Sequence, residues 1–442
     1  MPHAGPAGHA GPAGSAGSAG TRNEPPDELH LSVALDGAGW HPAAWREADA
    51  RPQDLFTAGY WADLAAEAER GLLDFITIED SLGMQSASRY PAFPREPSGG
   101  AGNRADQVRG RLDAVLIAAR IAPLTSHVGI VPTATMTHTE PFHMSTALAT
   151  LDYVSGGRAG WRAQLSPKPE QARHFGRREL PPLSPASIEE PAARQDIRDR
   201  FDEGADFVEV VRRLWDSWED DAVIRDIPTG RFIDRDKLHY IDFAGRWFSV
   251  RGPSITPRPP QGQLPVMALA HAGIPYEFAA RAADIVFITP GSADHAGQLI
   301  SQVNGAEFSA KRTWAPVHVY ADLTVFLDES GSAAIARKQR LDRADGADYR
   351  DSSDAAIFTG APGQLADLLL DWRRAGLTGF RLRPGALPHD LEQITRTLVP
   401  ALRERGAFRA AYAEGSLRER LGLIPHPASR YAGSRASGGT RR

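Results

Sequence analysis

HVGIVPTATMTHTEPFHMSTALATLDYVSGGRAGWRAQLS (residues 127–166) decides how this chain folds. Residues 127–136 form a β-branched and apolar run, residues 142–153 carry apolar side chains at helical spacing, and AGWRAQLS from residue 159 is again a strand pattern. Strand, helix and strand in that order read as one parallel βαβ unit. The same order recurs on both sides. Further strand runs are LHLSVAL (29–35), FITIED (75–80), LPVMALA (264–270), DIVFITP (284–290), HVYADLTVFL (318–327) and GFRLRP (379–384). Helical spacing appears at residues 58–70, 112–122, 200–218, 276–283, 363–374 and 389–403. Eight strand–helix units predict an α/β fold, a (β/α)8 TIM barrel over residues 29–431. A doubly wound sheet would need a Gly-rich phosphate turn after its first strand, and LHLSVALDGAG has no G-x-G-x-x-G.

The interval between the fourth and fifth strands exceeds one crossover. Residues 167–191 are rich in Pro and charge and read as an irregular loop. Residues 221–265 contain GRFIDRDKLHYIDFAGRWFSV, whose Gly-separated β runs suggest a hairpin added at the barrel rim. Loop and hairpin together are expected to cover the mouth. The Ala/Gly/Pro-rich segment 1–28 and residues 432–442 have little to bury and are expected to be disordered.

Composition removes several classes. Lys and Arg number 50 against 55 Asp and Glu, a net charge of −5, so no bulk field exists to hold nucleic acid. The absence of Cys excludes disulfides, thiolate nucleophiles, zinc ribbons and Cys-held iron–sulfur clusters. No apolar run approaches the roughly 20 residues of a membrane span, and no secretory signal pattern is present, so a cytoplasmic protein is expected.

In a TIM barrel the polar residues at the carboxyl ends of strands build the site. Here they are Glu79 and Asp80; Thr133, Thr135 and Thr137; His138 and His143 just beyond; and Arg162, Gln164 and Ser166. The alternate Thr residues could form a hydrogen-bonding wall for a planar polar ligand, or could simply be good strand formers. The two His residues could be acid/base groups or donors to bound oxygen, and no third ligand stands at a spacing that supports a metal. Arg162 inside a strand requires a carboxylate, such as Asp80, or a bound anion, such as a phosphate, because an unpaired buried guanidinium is very costly.

HTEPFHMSTALATLDYVSGGRAGW (138–161) resembles the flavin-dependent monooxygenases of the bacterial luciferase-like superfamily, in the branch of the nitrilotriacetate and dibenzothiophene-sulfone enzymes. AAEAERGLLDFITIEDSL, FSVRGPSITPRPPQG and TGAPGQLADLLLDWRRAGLTGFRL extend the resemblance over nearly the whole structured chain. It implies a TIM barrel that takes reduced FMN from a separate reductase and uses O2 to oxygenate a small organic substrate. It also implies a homodimer or tetramer, for which the apolar helix 142–153 is a plausible interface.

Residue by residue, the resemblance matches Asp80, Thr133 and His143. His143 and His138, just beyond the carboxyl end of the third strand, are expected to be catalytic and to lie near the flavin ring edge. Asp80, Thr133, Thr135 and Gln164 are expected to line the cofactor. The family's Gly-Trp-Asn is here Gly160, Trp161 and Arg162, and its phosphate-holding His, Tyr, Ser and Gly are Ile197, Phe201, Ala272 and Pro275. Arg162 and backbone N–H groups near Gly273 are the candidate replacements. Two alternatives stay open: a deazaflavin enzyme that transfers hydride without O2, and a non-enzymatic barrel that has lost flavin.

Overall fold

A computed structural model describes residues 28–84, 105–182, 190–346, 349–351 and 353–432. The segments expected to be disordered therefore lie almost entirely outside the described residues. The elements run β1 (His30–Leu35), α1 (Ala58–Arg70), β2 (Phe75–Ile78), α2 (Ala114–Ile121), β3 (Gly129–Thr135), α3 (Pro141–Ser155), β4 (Trp161–Gln164), α4 (Pro169–Arg173) and α5 (Pro191–Asp216). Two short hairpins follow, β5 (Val223–Asp226) with β6 (Arg231–Ile233) and β7 (Phe243–Ala244) with β8 (Ser249–Val250). The second half contains β9 (Val266–Leu269), α6 (Gly273–Ala282), β10 (Ile285–Ile288), α7 (Ala293–Ser309), β11 (His318–Leu327), α8 (Gly331–Asp345) and β12 (Ala356–Gly360). After these come α9 (Pro362–Arg373), β13 (Gly379–Pro384), α10 (His389–Gln393), α11 (Val399–Glu404) and α12 (Leu417–Arg420).

Eight parallel strands close the barrel in the order β10-β9-β4-β3-β2-β1-β13-β11, with β10 pairing back onto β11. All eight strands expected from the sequence are present. One was not expected: β12 takes over the edge of β11 at residues 323–327, beyond the stretch 318–321 that pairs with β10. The pattern at 389–403 is not one helix either. The N–H of Val399 reaches back five residues to the carbonyl of Ile394, forming a π turn between α10 and α11. Pro400, which has no N–H to donate, stands directly after it.

The rim insertion differs from expectation in number and place. It forms two hairpins, and Ile241, Phe243 and Val250 pack on Val210 and Leu214 of α5. Arg212, beside them on α5, bonds Asp284 immediately before β10, which puts this part of α5 at the closed end of the barrel. Apolar burial thus lays the insertion along α5, where Arg246 of the second hairpin reaches Asp199. Among the described residues, the loop after β4 covers the mouth: Gln171 donates to Ser81 Oγ, and Phe175 stacks on His138.

Inside the barrel, alternate residues face inward and polarity changes with height. Phe75, Val131, Met267, Ile285, Phe287 and Tyr320 form an apolar lower layer, sealed by Leu417, Leu421 and Leu423 of the α12 segment. Two carboxylates tie this end to the later chain. Asp74 accepts from Leu31 N–H at 2.7 Å, His30 at 3.0 Å and Arg409 at 2.7 Å. Asp284 accepts from Val266 N–H at 2.8 Å, Arg212 at 2.7 Å and Arg418 at 3.3 Å.

Burial alone would raise the Asp74 carboxyl, but Arg409 and His30 outweigh it and hold it at about 2. A carboxyl depressed from its ordinary value near 3.9 stabilises the fold above that pH and ceases to do so as pH falls through the depressed value. That linkage amounts to about 2–3 kcal/mol. Asp74→Asn is therefore expected to lower stability by about that amount or more at pH 7, with the gap to the unmutated protein narrowing from pH 4 toward pH 2. Urea unfolding midpoints across this range measure it.

Candidate active site

Above the apolar layer the barrel interior is ionised. Arg381, fully buried on β13, donates to Asp322 of β11 at 2.8 Å, to Thr77 of β2 at 3.1 Å and to Glu79 at 3.0 Å. Its guanidinium carbon lies 4.1 Å from the Phe287 ring centroid, so the cation rests on the apolar layer below. Arg383, two residues on, donates to Asp322 at 2.9 Å and to Asp354 at 2.5 Å. Asp354 in turn meets the rim residue His271 at 3.3 Å, and His271 meets Thr289 at 2.9 Å. Burial works to raise the carboxyls of Glu79, Asp322 and Asp354, and the facing guanidiniums hold all three below their ordinary values. Three cations and three anions thus offset a desolvation cost of several kcal/mol per ion.

Arg162 completes the group. Its Nη1 stands 3.1 Å from Glu79 Oε2 and donates to Thr133 Oγ1 at 3.1 Å and Gln164 Oε1 at 2.7 Å. Of the two partners open to it, the structure supplies a carboxylate from the chain itself, and the carboxylate is Glu79, not Asp80. Phe75, Thr77 and Glu79 share the inward face of β2, which turns Asp80 outward. The Asp80 carboxylate accepts the N–H groups of Ser81 at 2.6 Å and Ala114, the first residue of α2, at 3.0 Å. Its main-chain carbonyl accepts from Gln164 at 3.1 Å, so Asp80 borders the site through its backbone.

Thr135 and His138 belong to a second cluster at the ends of β3 and β4. Thr135 Oγ1 bonds the hydroxyls of Thr137 and Ser166, both at 2.9 Å, and His138 Nε2 meets the Ser166 carbonyl at 3.0 Å. His138 has φ of 68°, a left-handed conformation uncommon outside glycine and concentrated at functional sites. Burial lowers its pKa, favouring a neutral imidazole at neutral pH. His143 is exposed on the first turn of α3, and among the described residues it bonds neither cluster. The four residues expected around one flavin edge are thus distributed: Thr133 with the ions, Asp80 at their border, His138 among hydroxyls, and His143 outside.

Gly273 opens α6 directly after β9, with nothing within 4 Å of where a Cβ would stand. A helix start leaves its first N–H groups without helical partners, so Gly273 and Ile274 each present a donor; Pro275 presents none. Phe201 packs on Phe278 of α6 at 5.7 Å and so joins the two helices through an apolar contact. The donors this helix start offers are therefore backbone N–H groups, with no side-chain donor from Ala272 or Pro275. No group of three or more His, Asp or Glu among the described residues could hold a metal ion.

Residues 38–364 match the luciferase-like monooxygenase family. The chain belongs to that family. It is 30% identical to N-acetyl-S-(2-succino)cysteine monooxygenase of Bacillus subtilis (strain 168), over 92% of this chain and 98% of that protein. It is 29% identical to nitrilotriacetate monooxygenase component A of Aminobacter aminovorans, over 90% and 96%. The DmoA structure from Hyphomicrobium sulfonivorans superposes with a TM-score of 0.75 at 25% identity, covering 92% of this chain and 97% of that one. As a luciferase-like monooxygenase the chain is an oxidoreductase, and the non-enzymatic reading gives way.

Because Arg162 is engaged by Glu79, Arg162→Met is expected to change the affinities for FMN and riboflavin by the same factor. Fluorescence-quenching titrations compare the two; a loss confined to FMN would place the guanidinium on the phosphate.

Proposed function

We propose that this luciferase-like monooxygenase is the oxygenating component of a two-component system that takes reduced FMN from a separate reductase and adds one atom of O2 to a small organic substrate. The observation that carries this reading is similarity along the full barrel to monooxygenases, one of them named as a component. Reduced flavin, when bound, supplies the electrons that activate O2. The chain's own residues supply binding and enclosure. The N–H groups of Gly273 and Ile274 would donate to phosphate oxygens. The ion layer, each guanidinium facing at least one carboxylate, forms a fixed polar floor that needs little reorganisation when charge develops above it. The loop after β4, pinned by Gln171 and Phe175, excludes water from the side nearest His138. A homodimer or tetramer is part of the same proposal.

Anaerobic titration of the purified protein with reduced FMN, FMN and a deazaflavin tests the cofactor. Reduced FMN is expected to bind and, after admission of air, to oxidise more slowly than in free solution. Retention of deazaflavin alone would favour hydride transfer without O2.

Gly273→Pro isolates the phosphate contact. Ala272 is extended (φ −155°, ψ 175°), as a residue before Pro must be, and Pro suits the first helical position, so the helix start survives while one donor is lost. A hydrogen bond to a charged group contributes about 1.5–3 kcal/mol, so FMN should bind at least about tenfold more weakly and riboflavin unchanged.

A further inference from the structure

Beside the mouth, a recess opens between the ends of β1 and β2 and the segment before α2. Its walls include Leu55, Phe56, Trp61, Val108 and Leu112, with Asp36, Glu79 and Arg111 as its charged members. Arg111 is anomalous there. Its side chain is only 17% exposed, yet among the described residues the one carboxylate within 4 Å is that of Asp36, at 3.7 Å and beyond hydrogen-bond reach. Its Nε is buried with no partner, and among the described residues its guanidinium makes no hydrogen bond.

A buried arginine with a structural role looks different in this chain. Arg158 donates five hydrogen bonds, to Ser155 O, Thr125 Oγ1, Val128 O, Ala122 O and Thr125 O. Arg200 and Arg420, which also bury unpartnered nitrogens, each keep a backbone carbonyl. A guanidinium carries five N–H donors in a planar fork that matches an oxyanion, and burying it without acceptors is costly. The other charges do not meet this demand. Both Glu79 oxygens face Arg162 and Arg381. Burial raises the Asp36 carboxyl, so its charge is the most easily neutralised when an anion arrives.

We propose that this recess is the substrate subsite and that Arg111 receives an oxyanion, a carboxylate or sulfonate, carried on an apolar body that lies against Phe56, Val108 and Leu112. The inference rests on the oxygenase reading and deepens it: the substrate is an organic acid, held by its charged end so that the remainder extends toward the barrel mouth.

Calorimetric titration of flavin-free protein tests this, with 4-phenylbutyrate, 3-phenylpropane-1-sulfonate and the neutral 4-phenylbutyramide as probes. The acids are expected to bind at least tenfold more tightly than the amide, with the better acid showing which oxyanion the fork prefers. Arg111→Gln should remove that preference and Arg111→Lys restore part of it. Phe56→Ala, at a half-exposed position that folding tolerates, should weaken acid and amide by the same factor. Equal binding of acid and amide to the unmutated protein, or a preference surviving in Arg111→Gln, would overturn the proposal, as would no acid binding at millimolar concentration. The reduced-FMN titration is independent: acid binding without flavin binding would leave the anion site standing and remove the oxygenase reading.

Discussion

The Arg381–Asp322 pair sits at the point where the barrel changes from apolar to ionic. Both side chains are fully shielded from water, and each is shared: Asp322 also serves Arg383, and Arg381 also serves Glu79 and Thr77. Removing either partner would strand a charge in a low-dielectric interior, a loss of about 3–5 kcal/mol. Because β2, β4, β11 and β13 all contribute to this one set of contacts, their register and the shape of the mouth are fixed together. A one-residue slip of any of them would exchange an ion for an apolar neighbour.

The two ends of the barrel solve different problems. The closed end is sealed by hydrocarbon, Phe and Tyr rings below and Leu from α12, with Asp74 and Asp284 placed where strand-leading N–H groups need acceptors. The open end must admit a ligand without collapsing, and charge pairs maintain shape better than interchangeable apolar side chains. The hydroxyl cluster of Thr135, Thr137 and Ser166 continues this polar wall at the edge covered by the loop after β4.

The barrel strands were legible as short β-rich runs, most of them next to a helical pattern. The helices α7 and α8 and the strand β12 were not. Ala293–Ser309 and Gly331–Asp345 lie on the outer surface with few buried apolar residues, so their hydrophobic period is faint. The site was legible in part. Counting by twos from Phe75 selects Glu79 over Asp80, and the same count along GFRLRP places two arginines inside beside Asp322 of HVYADLTVFL. That signal was present in the residues. The identity of the Arg162 partner was not, since strand neighbours are set by barrel closure. The place of Arg111 depends on the segment 105–113 lying against the end of β1, for which no periodicity speaks.

The seal of the closed end has a consequence for how the protein is made. Leu417, Leu421 and Leu423 leave the ribosome after all eight barrel strands, and Arg409 and Arg418 with them. Until they arrive, the rings of Phe75, Phe287 and Tyr320 face solvent, Asp74 lacks its guanidinium partner and Asp284 has Arg212 alone. The nascent barrel thus exposes aromatic surface and an unpaired carboxylate for as long as translation of the last segment takes, and that is the stage at which association between copies is most favoured.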